Sequence, residues 1–489
     1  MYPDKKLYLK FTAFFLTLVL ALAAGMKVWA APVTAEDYAS EAEERKLLPV
    51  ESNQIENWPA GPAIGAQSAI LLEANTGVIL YAKNIDERLY PASTTKLMTC
   101  LIAAEHCQLD EMITFSHDAI FSLEPGSSNI GIDEGQAMPF EECLYGILVA
   151  SANEVSNAVA EHVAGSREAF AEMMNEKAAQ LGCKNTHFVN AHGLYDEQHY
   201  VSAYDLALIA KAFFQNELLA KIGNTASHHF VATSTQPDDF YTRNKHQLIS
   251  GEIPYEGIKG GKTGYTDEAR QTLVTCAEQN GMKLICVILK EESPEQFYDT
   301  VKLLDYGFTN FSAVNVAEHE TKYSIQNSNF FNTSSDVFGN SNPILFLNQN
   351  SYLIMPKNIL FKELDSEISY ETEEKNEVAT IQYSYHGAYL GTATLDLAET
   401  SPVYYEFSEN NDTDVITQEP PVIMINIKLI LIVIIAVTTL IIAVIVIRSI
   451  IRSYNILDNR RNKRTWKRYK RNRKNGPHFP PSRFNGFDL

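Results

Sequence analysis

Ser93 and Lys96 stand three residues apart in Tyr90-Pro91-Ala92-Ser93-Thr94-Thr95-Lys96-Leu97-Met98-Thr99, where an apolar, helix-compatible run follows a proline. If a helix starts near Ser93, side chains at i and i+3 share one face about 5 to 6 Å apart at Cβ, so hydroxyl and amine can touch. A serine is a poor nucleophile until a base takes its proton. A lysine can be that base when burial or a neighbouring cation disfavours its charged form. The pair alone is weak, since a capping serine followed by a surface lysine has the same spacing. Ordinary Ser and Lys frequencies give about one or two such matches in a chain of this length.

Two further strings follow in order. Ser151-Ala152-Asn153 breaks two helical patterns, residues 140–150 and 154–163, and Lys262-Thr263-Gly264 leads into a strand-like region. S-x-N also begins at Ser127, Ser408 and Ser453, but Ser151 alone lies between two helices. Two ammonium groups sharing a cleft disfavour each other's charged forms, so Lys262 is one route to a basic Lys96. His192 with Asp205 offers a Ser-His-Asp alternative, against which the lysine already fills the base's role and His-Gly-Leu reads as a turn. Arg243 and Asn244, ahead of the K-T-G string, are candidates for the cleft wall. No C-x-x-C or His/Cys cluster occurs, so neither a metal nor a cofactor is expected.

The triple S-x-x-K, S-x-N, K-T-G is the set of penicillin-binding proteins and class A β-lactamases. Over residues 69–311 the chain resembles the serine D-alanyl-D-alanine carboxypeptidases, the low-molecular-mass penicillin-binding proteins of peptidase family S11. The likeness rests on Tyr90 to Lys96, on Asn185-Thr186-His187-Phe188-Val189-Asn190 followed by His192-Gly193-Leu194, on Tyr204-Asp205-Leu206-Ala207, and on Lys262-Thr263-Gly264-Tyr265-Thr266. It implies that Ser93 is the nucleophile, Lys96 its general base, Ser151 a proton relay, and Asn153 the partner of Lys96 or of the substrate amide. Lys262, Thr263, Gly264 and Tyr265 would bind substrate, with the backbone N–H groups of Ser93 and Tyr265 as oxyanion hole. The implied partners are a peptidoglycan stem peptide ending in D-Ala-D-Ala and, as covalent inhibitors, β-lactams. Two features depart from the family: Ala152 stands where Gly is frequent, and a full membrane span stands where an amphipathic helix is usual.

The elements that must position these residues read as a mixed α/β fold. Residues 68–73 and 78–82 form a hairpin closing before the serine helix, and residues 170–181 and 203–214 are amphipathic helices. Residues 271–276 and 283–289 make a late hairpin around Asn280-Gly281, and residues 301–306 a closing helix. An antiparallel sheet with helices around it is the expected transpeptidase-like architecture, followed by a small all-β domain. The expected divisions are a signal peptide at 1–31, a linker at 32–64, the catalytic domain at 65–312 and the β domain at 313–406. A linker at 407–426, a transmembrane helix at 427–449 and a basic cytoplasmic tail at 450–489 complete them.

The ends carry the localisation. Lys5, Lys6 and Lys10 precede an apolar run at 11–24 and the cleavage-like Val28-Trp29-Ala30-Ala31. An uncleaved anchor is the alternative, and either one exports the residues beyond it. Residues 429–447 hold 19 positions without a charge, long enough as a helix to span a bilayer. From 448 to the end stand 13 Lys+Arg against 2 Asp+Glu, which sets that side as cytoplasmic. The net charge of −20 and the acidic exported part give no reason to expect nucleic-acid binding. A cell-membrane protein with one span and an extracellular catalytic domain results. Its six cysteines are expected to be free, because Cys100 and Cys107 are too far apart along one helix and Cys276 and Cys286 point to opposite faces of a hairpin.

Two readings compete with the carboxypeptidase. A class A β-lactamase needs a glutamate for deacylation, usually within E-x-x-L-N, and no such string lies between Asn153 and Lys262. A non-catalytic penicillin-binding sensor would be compatible with the basic tail, but not with the need for a complete motif set.

Overall fold

In the computed structural model, which describes residues 35–323, 345–371 and 377–397, nine strands build the main domain. They are β1 (Ser68–Glu73), β2 (Ile79–Lys83), β3 (Met112–Thr114), β4 (Ala137–Pro139), β5 (Ser227–Phe230), β6 (Phe240–Arg243), β7 (Ile258–Thr266), β8 (Arg270–Gln279) and β9 (Met282–Glu291). The first two and last three form one antiparallel sheet of order β2-β1-β9-β8-β7, leaving β7 at an edge. Local chemistry explains its turns. The Glu73 carboxylate closes the first by accepting from the N–H groups of Asn75 and Thr76, at 3.0 and 2.7 Å. Asn280 and Gly281 both take positive φ, 50° and 76°, the type I′ geometry that matches strand twist. The resulting register pairs Cys276 with Ile285 and Thr275 with Cys286, as the turn arithmetic requires, and all six cysteines are free.

Helices cover both faces. On one, Ile70, Leu72, Val274, Ile285 and Val287 pack with Leu97, Met98 and Leu101 of the serine helix Lys96–His106 and with Val155 and Val159 of helix Asn153–Ala164. Helix Glu295–Asn310 closes the other face, starting six residues before the expected 301, with Phe297, Leu303 and Leu304 against Leu71, Leu284 and Ile288.

Within the linker expected at 32–64, residues 35–64 are not the irregular segment that their acidity suggests. Ala35–Arg45 is helical, Glu51–Gln54 forms a 3₁₀ turn, and Trp58 and Ile64 are buried. Arg45 donates to the carbonyl of Gly65 at 2.7 Å, Lys83 donates to the carbonyls of Arg45 and Ile64 at 2.8 Å each, and the Trp58 indole donates to Leu80 O at 3.0 Å. Composition reported only the solvent face of this segment.

The C-terminal strands are β10 (Phe311–Asn315), β11 (Leu345–Leu347), β12 (Tyr352–Pro356), β13 (Asp365–Ser369), β14 (Glu377–Tyr385) and β15 (Ala388–Leu397). They form a β10-β12 pair and a β11-β15-β14-β13 sheet. Ile354, Met355, Tyr385 and Leu390 join the same core as Leu71, Leu80 and Trp58, so the β module shares apolar burial with the main sheet. The expected signal peptide, second linker, transmembrane helix and basic tail lie outside the described residues. Among the described residues no helix is long and apolar enough to cross a membrane.

Candidate active site

Ser93 sits in a 3₁₀ turn, Ala92–Thr95, and Lys96 is the first residue of the α-helix after it. The expectation of an α-helix beginning at the serine is thereby corrected. The tighter turn still brings the two side chains together, with Lys96 Nζ 3.0 Å from Ser93 Oγ. Ala92 takes φ +49°, and the turn is held from both sides. Thr272 Oγ1 of β8 donates to Pro91 O at 2.8 Å, and Thr95 Oγ1 donates to Ala92 O at 2.8 Å. The His199 ring completes this support. Its Nδ1 accepts from Val189 N–H at 3.1 Å, which leaves Nε2–H to donate to Thr95 Oγ1 at 2.8 Å. Gly193, at φ +86°, lies so close to Ala92 that a Cβ would overlap the Ala92 carbonyl.

Lys96 is fully buried and has three neighbours: Ser93 Oγ, Asn153 Oδ1 at 2.6 Å and His192 O at 2.7 Å. An ammonium can satisfy all three. A neutral amine has two N–H donors, which suit Asn153 and His192, and one lone pair left facing the serine hydroxyl. Burial and then the Lys262 ammonium hold Lys96 well below the ordinary lysine range, so the neutral form is accessible.

Ser151 and Asn153 reach the cleft from a helix junction. Helix Phe140–Tyr145 runs on as a π turn, Gly146–Ala150, and ends at Ser151 with φ 63° and ψ 33°, a left-handed conformation that costs a non-glycine residue about 1 to 3 kcal/mol. That strained residue meets Lys262, whose Nζ donates to Ser151 Oγ at 2.9 Å and to Thr263 O at 2.8 Å. Lys262 is pushed down to about 7 by burial and then by the Lys245 cation. Lys262 presses on Lys96 and is itself pressed by Lys245.

Gly264 brings the edge strand β7 against the serine. A Cβ there would meet Thr272 Oγ1 and lie 2.8 Å from the backbone N of Ser93. Thr263 is half-buried beside it, whereas the Tyr265 ring points outward, 50% exposed, and its hydroxyl donates to Asp267 at 2.8 Å. The cleft therefore has a free strand edge, a nucleophile with a base, a hydroxyl on a second amine, and backbone of two segments in close approach. That equipment suits attack on the carbonyl of an extended peptide.

Other candidates fall elsewhere. Asp205 accepts from the N–H groups of Lys184 and Asn185, at 2.9 and 2.5 Å, and so caps a loop, while His192 Nδ1 accepts from Leu194 N–H at 3.1 Å. His192 contributes its carbonyl, not its ring. Arg243 pairs with Glu252 at 3.3 Å on the surface, and Asn244 donates to Thr225 O at 3.1 Å. Their neighbour Lys245 reaches the site instead, bonding Ser128 Oγ at 3.1 Å, while Ser128 O accepts from Asn153 N–H at 2.9 Å. No spacing in the sequence singled out Lys245 or the His192 carbonyl.

A family model described as D-alanyl-D-alanine carboxypeptidase matches residues 55–293. The D-alanyl-D-alanine carboxypeptidase DacF of Bacillus subtilis is 39% identical over 253 residues, 50% of this chain and 63% of that protein. The chain thus spans a little under two thirds of that relative's length. DacA of Haemophilus influenzae is 30% identical over 323 residues, 64% of this chain and 77% of that protein. Among solved structures, penicillin binding protein 5 from Haemophilus influenzae superposes with a TM-score of 0.55 at 26% identity, covering 69% of this chain and 98% of that one. With the S-x-x-K, S-x-N and K-T-G residues gathered in one cleft and relatives of this kind along most of its described length, the chain belongs to the D-alanyl-D-alanine carboxypeptidase family, peptidase family S11.

Proposed function

We propose that this protein is a serine D-alanyl-D-alanine carboxypeptidase that removes the terminal D-alanine from peptidoglycan stem pentapeptides. The observation that carries the reading is the amine of Lys96, buried, held below its ordinary range and 3.0 Å from Ser93 Oγ. The stem peptide adds to the edge of β7, its terminal carboxylate meeting Lys262 and Thr263. Lys96 takes the Ser93 proton as Oγ attacks the carbonyl between the two D-alanines. The backbone N–H groups of Ser93 and Tyr265 receive the oxyanion, a contact whose loss typically costs about 10² to 10³ in rate. Ser151, held by Lys262, gives its proton to the leaving amine and takes in its place the one Lys96 drew from Ser93, so that Lys96 is neutral again. Water then hydrolyses the acyl-enzyme, with Lys96 again in position to take its proton. A β-lactam enters by the same attack, but its ring-opened product stays tethered in the cleft, so the acyl complex persists.

The ends complete the proposal. A leader at 1–31 exports the chain, and a span within 427–449 followed by a basic tail anchors it, leaving the catalytic domain outside the cell. Supporting this are the uncharged run at 429–447 and the excess of Lys and Arg beyond it.

The test is D-alanine release from diacetyl-Lys-D-Ala-D-Ala by the purified protein. Release by the native protein and none by Ser93→Ala is expected. Penicillin labelling of Ser93 without any D-alanine release would replace this reading with a sensor, and loss of the label within seconds with a β-lactamase.

A further inference from the structure

The two helices that carry Lys96 and Asn153 at their N-terminal ends bring together three side chains of different chemistry at their C-terminal ends. The ligand atoms of Cys107, Glu111 and His162 all lie within 4.8 Å of one another. Cys107 caps the serine helix, and His162 stands in the last turn of helix Asn153–Ala164. Glu111 lies in the turn after the serine helix, one carboxylate oxygen accepting from Gln108 N–H at 3.1 Å and the other 2.7 Å from His162 Nε2. With His162 lying 51 positions beyond Glu111, sequence spacing gives no hint of the cluster.

We propose that Cys107, Glu111 and His162 bind a zinc ion, with water at the fourth position. Thiolate, imidazole and carboxylate are the donor types zinc takes, at bond lengths of about 2.0 to 2.3 Å, so in a tetrahedral site the donor atoms stand about 3.3 to 3.6 Å apart. Closing the cluster to that size needs shifts of about an ångström, within reach of side chains that are not all packed in. Cys107 is 8% exposed, whereas the His162 and Glu111 side chains are 29% and 39% exposed, which leaves an entry path and room for the water. The Gln108 N–H already fixes the second Glu111 oxygen, the kind of outer contact that orients a metal-binding carboxylate. Without metal, burial and the Glu111 charge raise the Cys107 thiol to about 11. Zinc binding must therefore release the thiol proton to solvent, and the His162–Glu111 hydrogen bond opens as both turn to the metal. The ion would tie the far ends of two helices whose near ends meet at Lys96 and Asn153, about 16 Å along the serine helix from Lys96. It would act as a clamp on the site, with no part in the chemistry.

The full-length protein, dialysed against zinc and then buffer, is expected to retain one equivalent. Cobalt in its place should give a thiolate-to-cobalt charge-transfer band in the near ultraviolet. Cys107→Ser and His162→Asn should each remove that band or weaken zinc at least about tenfold. Ser93→Ala should bind as the native protein does. So should His117→Ala, which removes a surface His–Glu pair, His117 with Glu134 at 2.9 Å. Absence of stoichiometric zinc, or zinc binding unchanged in a Cys107→Ser/His162→Asn double variant, would overturn the proposal.

Discussion

Lys96 stands closer to Asn153 than to the serine it would activate: 2.6 Å to Oδ1 against 3.0 Å to Ser93 Oγ. The amide therefore fixes where the amine points, and the lone pair that remains is aimed by default at the hydroxyl. Asn153→Ala should leave Lys96 held only by the His192 carbonyl. Acylation by a fluorescent penicillin is expected to slow about 10²-fold, the usual worth of a positioned general base, while Ser93 stays reactive enough to label at long times. Labelling at the native rate would show that Asn153 does not orient the base.

Gly264 is where the strand edge and the nucleophile touch, and it tests whether that approach matters. In Gly264→Ala the new methyl group would fall 2.8 Å from Ser93 N and against Thr272 Oγ1, itself bonded to Pro91 O. Strand and turn must move apart, and with them the two proposed oxyanion donors. We expect acylation to fall by about 10² to 10³ with the circular dichroism of the fold retained. A fall in thermal stability with unchanged acylation of the folded fraction would place the role of Gly264 in packing alone.

How much of this arrangement was legible in the sequence depended on how local each contact is. The hairpin at 68–83 and the Asn280-Gly281 turn are short-range constructions whose residue types announce them, and the cysteine geometry followed from the turn alone. Residues 35–64 misled because Arg45, Trp58 and, just beyond the segment, Gly65 find their partners far along the chain, at Glu292, Phe311 and Asp299, while the acidic positions dominate composition. Within the site, side-chain motifs could be read. The His192 carbonyl could not, since a backbone group has no residue-type signature. Lys245 was passed over for Arg243 because only the fold decides which cation of Arg243-Asn244-Lys245 turns toward Ser128.

Lys245 should set the alkaline limit of activity. Lys262 must be charged to draw the substrate carboxylate, and it loses its proton at about 7, so kcat/KM, which reports the free enzyme, should decline above that pH. Lys96 must be neutral, and burial and the Lys262 cation push it well below the ordinary lysine range, so the acid limb reports the loss of its proton. Removing the Lys245 cation relieves the pressure on charged Lys262 and raises its pKa. In Lys245→Ala the alkaline limb of kcat/KM is therefore expected to move to higher pH, the acid limb moving less. An alkaline limb that stays in place would assign it to another group.

His199 makes a prediction about stability rather than rate. Burial pushes its ring down to about 3, as it does for His246, and pushes His192 well below the usual range. In the unfolded chain these rings titrate near 6.5, so between about 6.5 and 3 the unfolded state binds more protons than the folded one. Stability is then fully present above 6.5 and is lost as pH falls toward 3. Each ring adds up to about 1.4 kcal/mol of slope per pH unit within that window. His199→Asn should cost stability at pH 7 through its lost contacts with Thr95 and Val189, by about 1 to 3 kcal/mol. Its unfolding free energy from urea titrations, plotted from pH 7 to 4.5, should fall less steeply than the native protein's by about one ring's share. Carboxylates titrate alike in both proteins and drop out of the difference, so parallel curves would mean that His199 is protonated within the native fold.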